Sequence, residues 1–279
     1  QKIREEERKV LYDQYYGMEK EVVTGIVQRV MGKNVSVNLG KADGILSENE
    51  QVKGEEFEPT ERIKVYILEV KDTPKGPRIL LSRTHPGLVK RLFESEVAEV
   101  KDGTVEIKSI AREAGSRTKI AVWSNDPDVD PVGACVGMNG ARVNSIVEEL
   151  RGEKIDIINW DENPAILIEN ALSPAKVIAV MADPDEKTAL VVVPDYQLSL
   201  AIGKEGQNAR LAARLTGFKI DIKSETQARE SGDFYDYDDE AEETEETVSE
   251  ELTADDAADE IETEEDAAEE VPVDEESEE

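Results

Sequence analysis

The chain repeats itself, and that repeat constrains its fold more than any other feature. VGMNGARVNSIVEELRGEKIDI at residues 136–157 matches IGKEGQNARLAARLTGFKIDI at residues 202–222. Gly137 and Gly140 pair with Gly203 and Gly206 at an offset of 66 residues, and the KIDI runs at 154–157 and 219–222 pair at an offset of 65. A unit of this size occurring twice means two copies of one small domain rather than one large core. Each copy reads as a helix, a two-strand hairpin, a Gly-x-x-Gly turn, an apolar-periodic helix ended by glycine, and a last strand. The hairpins are TVEIKSIAREAGSRTKIAVWS and VIAVMADPDEKTALVVVP, and the leading helices span 88–100 and 163–172.

Upstream the hydrophobic period changes to two. VVTGIVQRV, NVSVNLG, DGILS, RIKVYILEV and RILLSR are short Val/Ile-rich runs divided by Gly, Asn, Asp and Pro, which is strand patterning. Five strands in about 60 residues suit a closed OB-type barrel, because a sandwich takes about seven strands and ~100 residues. GIV…VSVNLGKADGILS and the closing ILLSR also resemble the S1 RNA-binding motif. Residues 1–20 place Ile3, Val10, Leu11, Tyr15 and Met18 at helical spacings, so they predict an amphipathic connecting helix. Because the chain starts at Gln1 inside this polar stretch, that helix is expected to complete a domain lying upstream. The expected division is 1–20 connecting helix, 21–84 barrel, 85–160 first repeat unit, 161–226 second unit and 227–279 tail.

Charge divides the chain in a different way. The formal net charge is −32, from 33 Lys+Arg and 65 Asp+Glu. Residues 233–279 hold 26 of the acidic side chains and no Lys or Arg, which leaves 33 basic against 39 acidic in the body, a net of −6. The acidic total therefore does not exclude a nucleic-acid binder, since phosphate affinity depends on local clusters of Lys and Arg. The tail cannot bury enough apolar surface to offset its chain entropy and is expected to be disordered. No run approaches the ~20 apolar residues that span a bilayer, which points to a cytoplasmic, membrane-free protein. One cysteine, Cys135, and one histidine, His85, leave little for disulfide, zinc or acid/base chemistry. No phosphate-loop, dinucleotide or nucleophile-elbow motif is present. DPDVDP at 126–131 reads as a solvated turn rather than a cation cage. No enzyme activity, cofactor or metal is expected.

The Gly-x-x-Gly turns carry the chemistry. Such a turn at a helix N-terminus brings backbone N–H groups and the positive helix end to the surface with no Cβ in the way. KH domains use it to clamp about four nucleotides of single strand. One copy is a weak motif, whereas two in register within a duplicated unit are specific. Residues 199–223 carry Lys204, Arg210, Arg214, Lys219 and Lys223 against Glu205 and Asp221, a local net of +3, while residues 135–151 balance to zero. The second turn should therefore hold phosphate more strongly. The candidate RNA contacts are Gly137, Met138, Asn139, Gly140 and Arg142 in the first unit. In the second they are Gly203, Lys204, Glu205, Gly206, Gln207, Asn208, Arg210 and Lys219. Arg112, Arg117 and Lys119 on the first hairpin are expected either to add charge to the first turn or to lie on a solvated edge. The barrel strands over 22–46 lack aromatic residues, leaving Arg29, Lys33, Lys41 and Arg83 as its possible contribution; a role without RNA contact, such as a spacer, is the competing expectation.

An S1 motif followed directly by two such units, with VGMNGARV, IGKEGQNARLAARLTGFKIDI and DPVGACVG in these places, resembles the NusA family of bacterial transcription termination/antitermination proteins. The resemblance covers residues 1 to about 224, and departs from the family pattern at Asn139. It implies an α+β multidomain fold, a five-stranded S1 barrel followed by two type II KH domains. It also implies a monomer that holds nascent single-stranded RNA near RNA polymerase, alongside other elongation and antitermination factors. The competing readings are an RNA-processing enzyme such as polynucleotide phosphorylase, in which KH precedes S1 and occurs once, and a chaperone or nucleic-acid mimic acting through the acidic tail.

Overall fold

The computed structural model describes residues 2–233. The expected disordered tail lies mostly outside the described residues. Helix α1 (Lys2–Tyr16) leads to five strands, β1 (Val22–Met31), β2 (Asn34–Asn38), β3 (Asp43–Leu46), β4 (Arg62–Lys71) and β5 (Arg78–Ser82), which close into a barrel in the order β1-β2-β3-β5-β4. Alternation sends Val27, Val35, Val37, Leu46, Ile63, Val65, Ile67, Ile79 and Leu81 inward, where all are buried. Shifts of register at Val27/Arg29 in β1 and Ile67/Glu69 in β4 supply the bends that closure requires. Tyr15 of α1 is buried against this core, and its hydroxyl donates to the Leu39 carbonyl at 3.1 Å. That contact fixes the helix to the barrel.

The first repeat unit contains α2 (Pro86–Glu96), α3 (Ala98–Lys101), β6 (Val105–Glu113), β7 (Arg117–Ser124), α4 (Pro131–Val136), α5 (Ala141–Glu149) and β8 (Lys154–Asn159). The second contains α6 (Pro164–Ala171), β9 (Ala179–Asp183), β10 (Thr188–Val193), α7 (Leu198–Ile202), α8 (Gln207–Thr216) and β11 (Lys219–Ser224). In each, an antiparallel hairpin is joined by a parallel last strand, giving sheets β6-β7-β8 and β9-β10-β11. The order of helix, two strands, two helices and a last strand, with the turn between the two middle helices, is that of type II KH domains. The sequence places one helix over 88–100, but the chain breaks at Val97 into α2 and α3. Helix α9 (Glu225–Glu230) then follows, started by a capping box between Ser224 and Gln227 and anchored by buried Ala228. The tail boundary expected at residue 227 therefore falls inside a helix, because the cap and the buried alanine extend the order.

Strand β7 is covered on both faces. Ile120 and Val122 face the first unit's own core with Leu88, Leu92, Phe93 and Ile146. Ala121, with Ala111 on β6 and Ile158 on β8, belongs instead to the second unit's core with Leu167, Ala171, Leu211, Ala212 and Leu215. The small Ala side chains let α6 and α8 approach that face closely. On the same face, buried Lys119 bonds the Ser173 carbonyl at 2.8 Å and Asp156 at 3.2 Å. Its ammonium is held below the usual lysine range, by burial first and against the pull of Asp156.

The barrel is joined to the first unit through Arg83. Its side chain is 1% exposed and forms a fork to Glu55 at 2.7 Å, with further bonds to the carbonyls of Lys64 and Glu149. An arginine expected to offer surface charge is thus internal, because the chain between barrel and α2 must satisfy buried polar groups at their junction. Replacing Arg83 by Ala leaves the Glu55 carboxylate, 6% exposed, without its partner. The expected cost is about 3–5 kcal/mol, read as a lower urea midpoint. A wild-type midpoint would contradict this role.

Candidate nucleic-acid interface

The two Gly-x-x-Gly turns have the same backbone. Gly137 and Gly203 adopt φ/ψ of 75/174° and 77/174°, Asn139 and Glu205 adopt 53/26° and 54/26°, and Gly140 and Gly206 adopt 76/13° and 73/15°. Three left-handed φ values in four residues are tolerated because two of the positions are glycine. At Gly203 a Cβ would lie 2.8 Å from the Asn208 Cβ and 2.9 Å from its backbone nitrogen, and at Gly137 one would lie 2.8 Å from the Arg142 Cγ. Each turn is thus pressed onto the helix that follows it.

Those helices are open at their start. Side chains of His85, Asp130, Asn163 and Ser224 cap α2, α4, α6 and α9. Helices α5 and α8 begin on Gly140 and Gly206 with no side-chain cap; the N–H groups of Ala141 and Gln207 donate instead to the Met138 and Lys204 carbonyls of the turns, and the positive end of each helix lies at its turn. Met138, 86% exposed, and Asn139 stand out from the first turn, and Lys204 and Glu205 from the second.

The remaining sequence candidates do not form one contact surface. Arg142 donates to the Ala134 carbonyl at 2.7 Å and Glu99 at 2.9 Å, so it braces the first turn from below. Asn208 is 6% exposed, and its Nδ2 donates to the carbonyls of Leu172 and Ala201 at 3.1 and 2.9 Å. It ties α6, α7 and α8 together behind Gly203 and is not placed to meet phosphate. Lys219 lies at the opposite end of α8, about 15 Å along the helix axis, where its N–H donates to the Lys187 carbonyl. Gln207 and Arg210 flank the second turn but reach across to the first unit. Gln207 Nε2 donates to Glu113 at 2.9 Å and Ser116 Oγ at 2.7 Å, and Arg210 forks onto the same Glu113 while its Nη1 reaches the Glu205 carbonyl at 3.1 Å.

The first hairpin adds no charge to the first turn. Arg112 forms a fully buried fork with Glu153 at 2.9 Å, Arg117 meets Asp156 at 3.0 Å, and Lys119 is the buried group described above. The barrel's two rings are also occupied, Tyr66 by the parallel ring of His85 at 4.6 Å and Phe57 by the Arg151 guanidinium at 5.1 Å. Neither matches an exposed stacking platform. Lys33 is paired with Glu48 at 3.0 Å, while Arg29 and Lys41 are exposed. Cys135 is fully buried, and burial pushes its thiol up to about 11, which suits packing rather than nucleophilic work. In the 126–131 turn, Asp126 and Asp130 accept the backbone N–H groups of Asp128 and Val132.

Beside β8 lies a cleft of about 540 Å³, lined by Val132, Ile157 and Asn159 of the first unit and by Asn170, Ser173 and Lys176 of the second. Sequence reasoning missed both this cleft and Glu113, because each exists only once the second unit is docked on the first.

Comparison with known proteins agrees with this architecture. The S1 RNA binding domain matches residues 17–82, the NusA-like first KH domain residues 83–160 and the NusA-like second KH domain residues 164–230. The transcription termination/antitermination protein NusA of Mycobacterium bovis is 49% identical over 234 residues, covering 81% of this chain and 67% of that protein. The chain belongs to the NusA family. The NusA proteins of Bacillus subtilis and Halalkalibacterium halodurans are 61% and 58% identical, each over 83% of this chain. The chain spans 62% and 61% of their lengths. Among the described residues, no helix is long and apolar enough to cross a membrane.

Glu113 carries a pH signature of the seam between the KH units. The Arg210 hydrogen bond, opposed by burial and assisted by Gln207 and Arg214, holds its carboxyl below the usual range. A lowered folded value contributes stability that is present above the unfolded value near 4.3 and lost as pH falls through the folded one. The thermal midpoint should therefore fall more steeply on acidification below about pH 4.3 in the wild type than in Glu113→Gln. Parallel curves would show that the pair adds nothing.

Proposed function

We propose that the chain is the RNA-holding part of a bacterial transcription elongation factor, acting as a monomer in the cytoplasm. It keeps nascent single-stranded RNA close to RNA polymerase and so modulates pausing, termination and antitermination together with other elongation factors. The observation that carries this reading is the matched pair of Gly-x-x-Gly turns, each opening an uncapped helix. Backbone N–H groups at such a site bind phosphate without regard to sequence, and two sites on one body can engage one strand.

The roles divide by position. Gly203 and Gly206 let the sugar-phosphate backbone approach, and Lys204 supplies the exposed charge beside them. At the first turn Gly137 and Gly140 do the same, with Met138 offering an apolar face to a base and Asn139 uncharged hydrogen bonds. The cleft beside β8 is the proposed place for bases of a strand held at the first turn. The barrel contributes spacing and orientation more than stacking. The names of the relatives, and the order of S1 before two KH units, support this reading over an RNA-degrading enzyme. No catalytic step is assigned to any residue.

Replacing Gly203 and Gly206 by Asp puts charge and bulk against the phosphates. The double variant should bind single-stranded RNA at least about tenfold more weakly in a gel-shift titration at low salt, with a shallower salt dependence. Unchanged affinity would remove the second turn from the site. Pull-down of RNA polymerase by this chain would show whether residues 1–279 carry that contact.

A further inference from the structure

Outside the turn's own Lys204, Arg210 is the basic side chain that reaches the second turn, through the Glu205 carbonyl, and it is not free. Its Nε and Nη2 fork onto Glu113 of the other KH unit, its Nη1 holds the Glu205 carbonyl inside the turn, and Arg214 lies 3.8 Å from the same carboxylate. Gln207 and Ser116 complete the cluster through the Gln207 amide. The Glu113 side chain remains 21% exposed and that of Arg210 44% exposed, so the pair sits at the surface, where a strand on the turn would pass. A structural tie at this seam needs a hydrogen-bond acceptor, and an amide oxygen supplies one. A full negative charge beside a phosphate-binding turn does something else.

We infer that Glu113 competes with RNA phosphate for Arg210, lowering the affinity of the second KH turn and removing one cationic contact from it. This rests on the RNA-holding reading above. A carboxylate acts here as an internal phosphate substitute: it satisfies the guanidinium fork in the empty site, and an entering phosphate must displace it or be repelled by it. The cost falls on every RNA equally, so Glu113 sets how readily the second unit releases a strand rather than which sequence it prefers. Lys204 is outside this competition, since it projects from the turn itself.

The test is a double-mutant cycle on the whole chain, using Glu113→Gln, Arg210→Gln and the two combined. Binding of a fluorescein-labelled pool of randomised single-stranded RNA is followed by anisotropy over a range of salt. Glu113→Gln keeps the size of the side chain and one of its two acceptor oxygens, and thermal melting reports that each variant is folded. Glu113→Gln should bind about fivefold more tightly at low salt, with the slope of log affinity against log salt steeper by about 0.7, the value for one more single-strand phosphate contact. Both gains should vanish in the combined variant, because Arg210 delivers them. If Glu113→Gln binds no better than wild type, or its gain persists without Arg210, the inference is overturned while the RNA reading stands. If wild type shows no salt-dependent binding, the RNA reading itself fails.

Discussion

The packing of the second KH unit's helices onto the first unit's sheet is the constraint on which the rest depends. Ala111, Ala121 and Ile158 face Leu167, Ala171, Leu211, Ala212 and Leu215 across that boundary in a single buried cluster. Helix α8 therefore has two tasks. Its apolar face closes the seam, and its N-terminus forms the second turn, so the position of that turn relative to the first follows from the packing. Burial of this much aliphatic surface drives association, while Lys119 with Asp156 and Ser173 fixes its register, since a misaligned seam would strand a buried ammonium.

The polar contacts at the boundaries show how one sequence supplies both cohesion and a phosphate surface. Arginine is used inward at Arg83 and Arg112, where planar forks match Glu55 and Glu153, while Arg210 beside the second turn stays 44% exposed. The second unit's basic excess is thus smaller in space than along the chain, because Glu113 arrives from the other unit. Charge counted over a sequence window assigns all of Arg210 to the ligand, but charge counted over the folded surface divides it.

Much of the architecture was legible in the sequence because its signals are local. The Gly-x-x-Gly turns need positive φ, which only a few residue types accept. The KIDI runs read as strands, and the alternation of Val and Ile over 22–82 shows the barrel. What was not legible depends on contacts between distant segments. Asn208 sits one residue from Gln207 in a polar, helix-starting context, yet it points into the body and Gln207 does not. Arg112, Arg117 and Lys119 look like a basic strand edge until the second unit covers that face. The uninterrupted apolar run from Ile120 to Val122 was a readable hint of this burial on both faces.

Two turns of identical geometry hold one strand at a set spacing only if their separation is fixed, and pulsed electron paramagnetic resonance measures that separation directly. Spin labels on Met138→Cys and Lys204→Cys report it, because Cys135 is fully buried and its thiol is pushed up to about 11, which disfavours its labelling. A single narrow distance distribution, the same with and without RNA, is the expected result. A broad distribution, or one that RNA moves to a new distance, would contradict the shared core as the element that places both turns.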